Sequence, residues 1–273
     1  MKSRRAKFLA AALLLLLASA AAAEPRRIVS ANLCADRLVA ALADPDKVVS
    51  LSYHAADPAL STILERAARL PLNHGDAEEI AALHPDLVVF GQYTGGAAVN
   101  MLQGLGIPVH ILPVPRDLAE TRSAIRDLAA RLGVPERGEN LVREIDDGLA
   151  RFSRDHKPAN GRPRAIIYSA GGWTYGAHSI DDDILRKVGA VNISTLAGID
   201  GIGNLSLEQM VALQPQLIVV ETIGNQPSLE TQLLQHPALL SGGAKRLDMP
   251  MRLWQCQDAA LVEAARRISE ALP

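Results

Sequence analysis

Short apolar runs rich in β-branched residues alternate with amphipathic stretches along most of the chain. Residues 28–31, 48–52, 87–90 and 109–112 read as strands of a buried sheet. Between them lie helical patterns: LVAALA after the first strand, STILERAARL after the second, Asp76–Leu83 stopped before Pro85, and residues 97–105. Short strands separated by helices predict a parallel α/β sheet. Helical sequence then runs on without a strand. Leu118, Ile125, Leu128 and Leu132 mark one face up to Gly133, and Pro135 suits the first turn of a helix carrying Leu141, Ile145, Leu149 and Phe152 to about Lys157. After the break at residues 158–163 a second α/β series begins. It reads as a strand at 165–168, a loop at 169–179, the helices DDDILRKVG and SLEQMVALQ, and a strand at 217–221. Another helix, a strand near 252–254 and a terminal helix from about Asp258 complete it.

The two series repeat. EEIAALHPDLVV, starting at Glu78, superposes on EQMVALQPQLIVV, starting at Glu208, with a constant offset that pairs Glu78 with Glu208, Leu83 with Leu213 and Pro85 with Pro215. Two similar lobes follow, expected at 24–134 and 159–273 and joined by one helix over 135–158. Ligands of open parallel sheets sit beyond the carboxyl ends of the strands. Two facing lobes therefore form one cleft, and a helical joiner predicts that it is largely preformed.

The first 23 residues depart from this pattern. Lys2, Arg4, Arg5 and Lys7 precede an apolar run, then small residues: the layout of a secretory signal peptide, with an apolar run short for a membrane span. A retained anchor is the alternative, and Ser3-Arg4-Arg5 hints at twin-arginine export. Cleavage would shift the net charge of −2 to −6. Neither value suits a nucleic-acid binder. A periplasmic protein is expected, a monomer with no resident cofactor or metal.

Aromatic residues are only 3% of the chain. Tyr53, Tyr93, Trp173, Tyr175 and Trp254 all fall at or just after predicted strand ends, where rings form stiff, amphipathic walls for a bulky ligand. Cys34 and Cys256 fall in loops on the same side of opposite lobes. Free thiols beside the ligand are expected; a disulfide across the lobes and a thiol–metal contact are the alternatives.

RIVSANLCADRLVAALA, AEEIAALHPDLVVFG, GIPVHILP and SLEQMVALQPQLIVVE, in that order and spacing, resemble the periplasmic substrate-binding proteins of iron-chelate (siderophore)/vitamin B12 ABC importers. The resemblance spans nearly the whole chain beyond residue 23. It implies two Rossmann-like lobes bridged by a long helix, and capture of a ferric siderophore or corrinoid, less readily haem, for delivery to an inner-membrane permease dimer. It further implies that Glu78 and Glu208, one per lobe, dock into arginine pockets of the permease, and that Trp173 and Trp254 lie against the ligand. Tyr53 with His54, and Tyr175 with His178, could reach a metal centre. Anionic siderophores would call on cations such as Arg37, Arg116 and Arg252.

The competing reading is a two-lobed periplasmic enzyme such as a metal chelatase; a sensor without a transport role is a third. Against an enzyme, the chain has no G-x-S-x-G, H-E-x-x-H or G-x-x-x-x-G-K motif, and no catalytic residue is assigned.

Overall fold

The computed structural model describes residues 24–153, 161–223, 234–240 and 242–273. The signal-peptide segment and the helix expected after residue 221 lie outside or largely outside these residues. In the first lobe, β1 (Ile28–Ser30), β2 (Val48–Ser52), β3 (Leu72–Asn73), β4 (Leu87–Gly91) and β5 (Val109–Leu112) form one parallel sheet in the order β3-β2-β1-β4-β5. Both faces are covered, so β1 and β4 are buried along their whole length and read as unbroken apolar runs. Helices α1 (Leu33–Leu42), α2 (Leu64–Ala67), α3 (Ala77–Ala82) and α4 (Gly96–Gly104) connect the strands. Asn32 starts α1, its side chain accepting from the Cys34 and Ala35 amides.

The second lobe holds β6 (Arg164–Tyr168), β8 (Val191–Asn192), β10 (Leu217–Thr222) and β11 (Lys245–Pro250) in a parallel sheet ordered β11-β10-β6-β8. A separate antiparallel ribbon pairs β7 (Trp173–Tyr175) with β9 (Ile202–Asn204). The last strand lies upstream of the expected 252–254, which instead falls in and just after a 3-10 turn at Met251–Leu253. The strand's own sequence is half polar because β11 is a sheet edge.

Three helices carry the join between the lobes: α5 (Leu118–Arg131), α6 (Pro135–Ala150) and the terminal α9 (Ala260–Ala271). Glycines let α6 approach its neighbours closely. A Cβ at Gly138 would stand 2.5 Å from Ala129 of α5, and one at Gly148 would stand 2.6 Å from Val262 of α9. Ile125, Ile145, Leu149, Ile167, Val219 and Ile268 are fully or almost fully buried in one core that runs through both lobes, flanked by a smaller cluster on each. The join is thus a packed helical spine, broader than a single rod.

The internal repeat is structural. Helix α3 leads into β4 as α8 (Leu207–Ala212) leads into β10, at the same offset as in the sequence. The residue ending each turn, His84 or Gln214, has φ of 49°. In each lobe an arginine beside the first strand closes the helix end: Arg27 Nε donates to the His84 carbonyl at 3.0 Å, and Arg164 Nε to the Gln214 carbonyl at 3.3 Å.

Candidate functional site: the cleft between the lobes

In the first sheet the strand order reverses between β1 and β4, so the loops after these strands flank the crevice where ligands are expected. Asn32 and Cys34 follow β1; Gln92, Tyr93 and Thr94 follow β4. Opposite stand the β7–β9 ribbon and α7 (Ile180–Lys187). The cleft between the two sides has a volume of about 830 Å³. It shares Gln92 and Tyr93 with a hollow of about 170 Å³ beside the β1–β4 crevice, which in turn shares Asn32, Cys34 and Thr94 with another of about 400 Å³ around Tyr53.

Of the five expected rings, Tyr93 and Tyr175 line the main cleft and Tyr53 lines the third hollow, while Trp173 and Trp254 line none of the three. Tyr93 is 83% exposed and lines both the main cleft and the smaller hollow. Tyr53 stands at the far end, its ring 3.9 Å from His54 and stacked at 5.2 Å on His74. His74 was not anticipated from sequence, because the strand that presents it is only two residues long. On the other lobe, alternation along β7 puts Trp173 and Tyr175 on one face and buries Thr174 on the other. Ile202, paired with Tyr175, shares the first face. Trp173 is 48% exposed and extends that wall beyond the main cavity. His178 borders the cleft with its Nδ1 2.7 Å from Asp200.

Trp254 departs from the expectation. It is only 4% exposed, packs in the core shared by the lobes, and donates its indole N–H to Asp181. The reason lies in its neighbours. Residues 252–258 form a strap fastened across the first lobe. The Arg252 carbonyl accepts from Arg37 at 2.7 Å, Gln255 Nε2 donates to the Leu60 carbonyl at 2.8 Å, and Asp258 pairs with Arg37. The strap also overturns the expectation of free thiols: Cys34 and Cys256 are joined in a disulfide, with Cα atoms 5.2 Å apart.

Carboxyl groups sit behind both walls. Asp181 borders the cleft but is buried; desolvation and the nearby Glu221 push its pKa up to about 7 against the pull of the Trp254 indole. Glu221, bonded to Ser169, is also raised by burial. Burial and these two acids raise the Tyr175 hydroxyl, which keeps it a neutral donor. In the first lobe Asp36 of α1 is likewise pushed to about 7 by burial, although both the amide and hydroxyl of Ser52 donate to it.

The three arginines considered as anion partners are otherwise arranged. Arg37 is buried against Asp258. Arg116 lines the cleft but donates through Nε and Nη2 to Glu120. Arg252 borders none of the three hollows. No group of three or more His, Cys, Asp or Glu among the described residues could hold a metal ion.

Glu78 and Glu208 lie in the first turns of α3 and α8, both exposed. A helix leading into a parallel strand runs back along the sheet, so both acids sit toward the carboxyl edges of their lobes. Glu79, the neighbour of Glu78, is engaged by the His74 amide at 2.8 Å. Ser206, N-cap of α8, and the Glu208 amide hold the Glu208 carboxyl below its ordinary range.

Two α/β lobes, a fixed spine and a ring-walled cleft define a binding protein of the bilobal class. A family model described as periplasmic binding protein matches residues 28–242, and the chain belongs to that family. It is a periplasmic binding component and not an enzyme. Among solved structures, it is 24% identical to the periplasmic heme-binding protein RhuT from Roseiflexus sp. RS-1, covering 90% of this chain and 97% of that one with a TM-score of 0.73. A periplasmic heme binding protein from Pseudomonas aeruginosa is also 24% identical, over 90% and 92% of the two chains, with a TM-score of 0.72. The periplasmic vitamin B12 binding protein BtuF of Vibrio cholerae is 18% identical over 91% and 96%, with a TM-score of 0.65. No curated protein sequence matches significantly. No helix among the described residues is long and apolar enough to cross a membrane.

Proposed function

We propose that this protein is the receptor of an ABC importer that captures a bulky metal chelate, a ferric siderophore or corrinoid and less readily haem, between its lobes. The observation that carries this reading is the cleft itself, which takes a ring from each side, Tyr93 from one lobe and Tyr175 from the other, with Tyr53 in an adjoining hollow and Trp173 on the face of β7 that Tyr175 shares. Flat apolar walls suit a large chelate whose metal is already coordinated. His54 and His178 stand at opposite ends and would contribute polar contacts. Family membership supports the same role. In this reading residues 24–134 and 159–273 are the two lobes and 135–158 the joiner; both parallel sheets fall within those limits.

Glu78 and Glu208 would present the loaded protein to the two halves of the permease. Their equivalence through the internal repeat and their exposure support this, because two carboxylates at equivalent corners match a pseudo-symmetric partner. Such charges govern orientation and encounter more than affinity. Titration with ferric siderophores, cobalamin and haem tests the receptor role. At least one chelate is expected to bind with saturation and to quench Trp173 emission; no binding by any of them overturns the reading.

A further inference from the structure

We infer that the cleft selects chelates that are uncharged or positively charged and discriminates against polyanionic ones. The inference rests on the receptor reading and narrows its cargo. Among the described residues lining the main cleft and its two extensions there is no lysine, and the only arginine is Arg116. Glu120 takes the Arg116 guanidinium through Nε and Nη2 and also accepts from the Arg116 amide at 2.8 Å, so the charge of this one cation is offset by a carboxylate beside it.

Asp127 has no comparable partner. Asp127, one to two turns along α5 from Glu120, lines the cleft with its side chain 71% exposed. The basic side chain within 4 Å of it among the described residues is His110, 3.8 Å away. Burial, and less so Arg131, lower the His110 pKa against the pull of Asp127, so that imidazole is mostly neutral at neutral pH. Asp181 adds a second acid behind the opposite wall. A ligand carrying several negative charges would have to desolvate them here with only the Glu120-paired Arg116 as a cationic partner and with a further carboxylate facing them. An uncharged chelate meets rings and prolines. A cationic one gains Asp127.

Calorimetric titration of the full protein with four probes tests this. The probes are cyanocobalamin, which is uncharged; a cationic ferric tris-hydroxamate; a trianionic ferric tris-catecholate; and haem with its two propionates. The uncharged or the cationic chelate is expected to bind at least tenfold more tightly than either anionic one. Any residual binding of the trianion should strengthen as salt screens the repulsion. In the Asp127→Lys protein the trianion should gain at least fivefold in affinity and the cation should lose affinity. Tightest binding of an anionic chelate in the native protein, or an unchanged rank order in Asp127→Lys, overturns the inference and leaves the receptor reading intact. Binding by none of the four overturns both.

Discussion

The two lobes share a scaffold and differ at the edge that faces the ligand. Helix α3 with β4 and helix α8 with β10 agree in offset, in the φ of the residue ending each turn and in the arginine that closes it. The first helix of each lobe even buries an aspartate with a pKa near 7, Asp36 in α1 and Asp181 in α7. Their partners differ. Asp36 holds Ser52 of the adjacent strand, a bond within its own lobe, whereas Asp181 holds Trp254, which reaches it from the strap. The first lobe leaves its two tyrosines, Tyr53 and Tyr93, in the open, and the second uses one of its two tryptophans as an anchor. A duplicated unit can keep its frame while one copy is turned toward cargo and the other toward fastening.

The sharpest way to break that contrast is at the anchor. Trp254→Ala removes a buried ring and orphans the Asp181 carboxyl, and should cost about 3–5 kcal/mol of stability. Trp173→Ala should leave chemical denaturation within about 0.5 kcal/mol of native. Equal loss from the two substitutions would abolish the distinction. Serine at both Cys34 and Cys256 should cost about 2–5 kcal/mol, since the bridge spans 222 residues; unaltered stability would show that the spine alone holds the lobes.

The aspartates set a pH dependence. An acid whose folded pKa is raised binds protons more readily when folded, so its contribution is full below about pH 4 and is lost as pH rises to about 7. Asp181→Asn should flatten the stability profile in that window by on the order of 1 kcal/mol per pH unit. A slope unchanged from the native protein would remove Asp181 as its source. For ligand affinity the expected effect is smaller: Trp173→Ala weakens binding by at least about 1 kcal/mol, and native affinity in a titration would refute its place in the wall. Least of all, Glu78→Ala combined with Glu208→Ala should leave stability and chelate binding untouched while stopping uptake into cells. Normal uptake by that double mutant would end the docking proposal.

Much of the frame was legible in the sequence because buried parallel strands leave β-branched runs and the repeat fixes their order. The edge strand β11 was not, since its exposed half dilutes the apolar signal, and the apolar Met251–Trp254 run beside it imitates a strand. The two-residue β3 and the β7–β9 ribbon are too short for periodicity to reveal, so His74 and the shared face of Trp173, Tyr175 and Ile202 emerged only from the coordinates. Tyr93 was readable from its position after a strand. By the same criterion Trp254 looked like a cleft ring, because position along the chain cannot distinguish a loop that opens into solvent from a strap laid across another lobe. Arg116 and Glu120 lay one helical turn apart in plain sight, yet only geometry shows that the guanidinium is already paired through Nε and Nη2.

The bond between Cys34 and Cys256 makes most of the polypeptide a covalent ring. A protease that severs the backbone once anywhere inside that ring releases no fragment; the nicked molecule keeps its mass until a reductant is added. For a receptor working outside the cytoplasm, a single cut need not separate one half of its grip from the other.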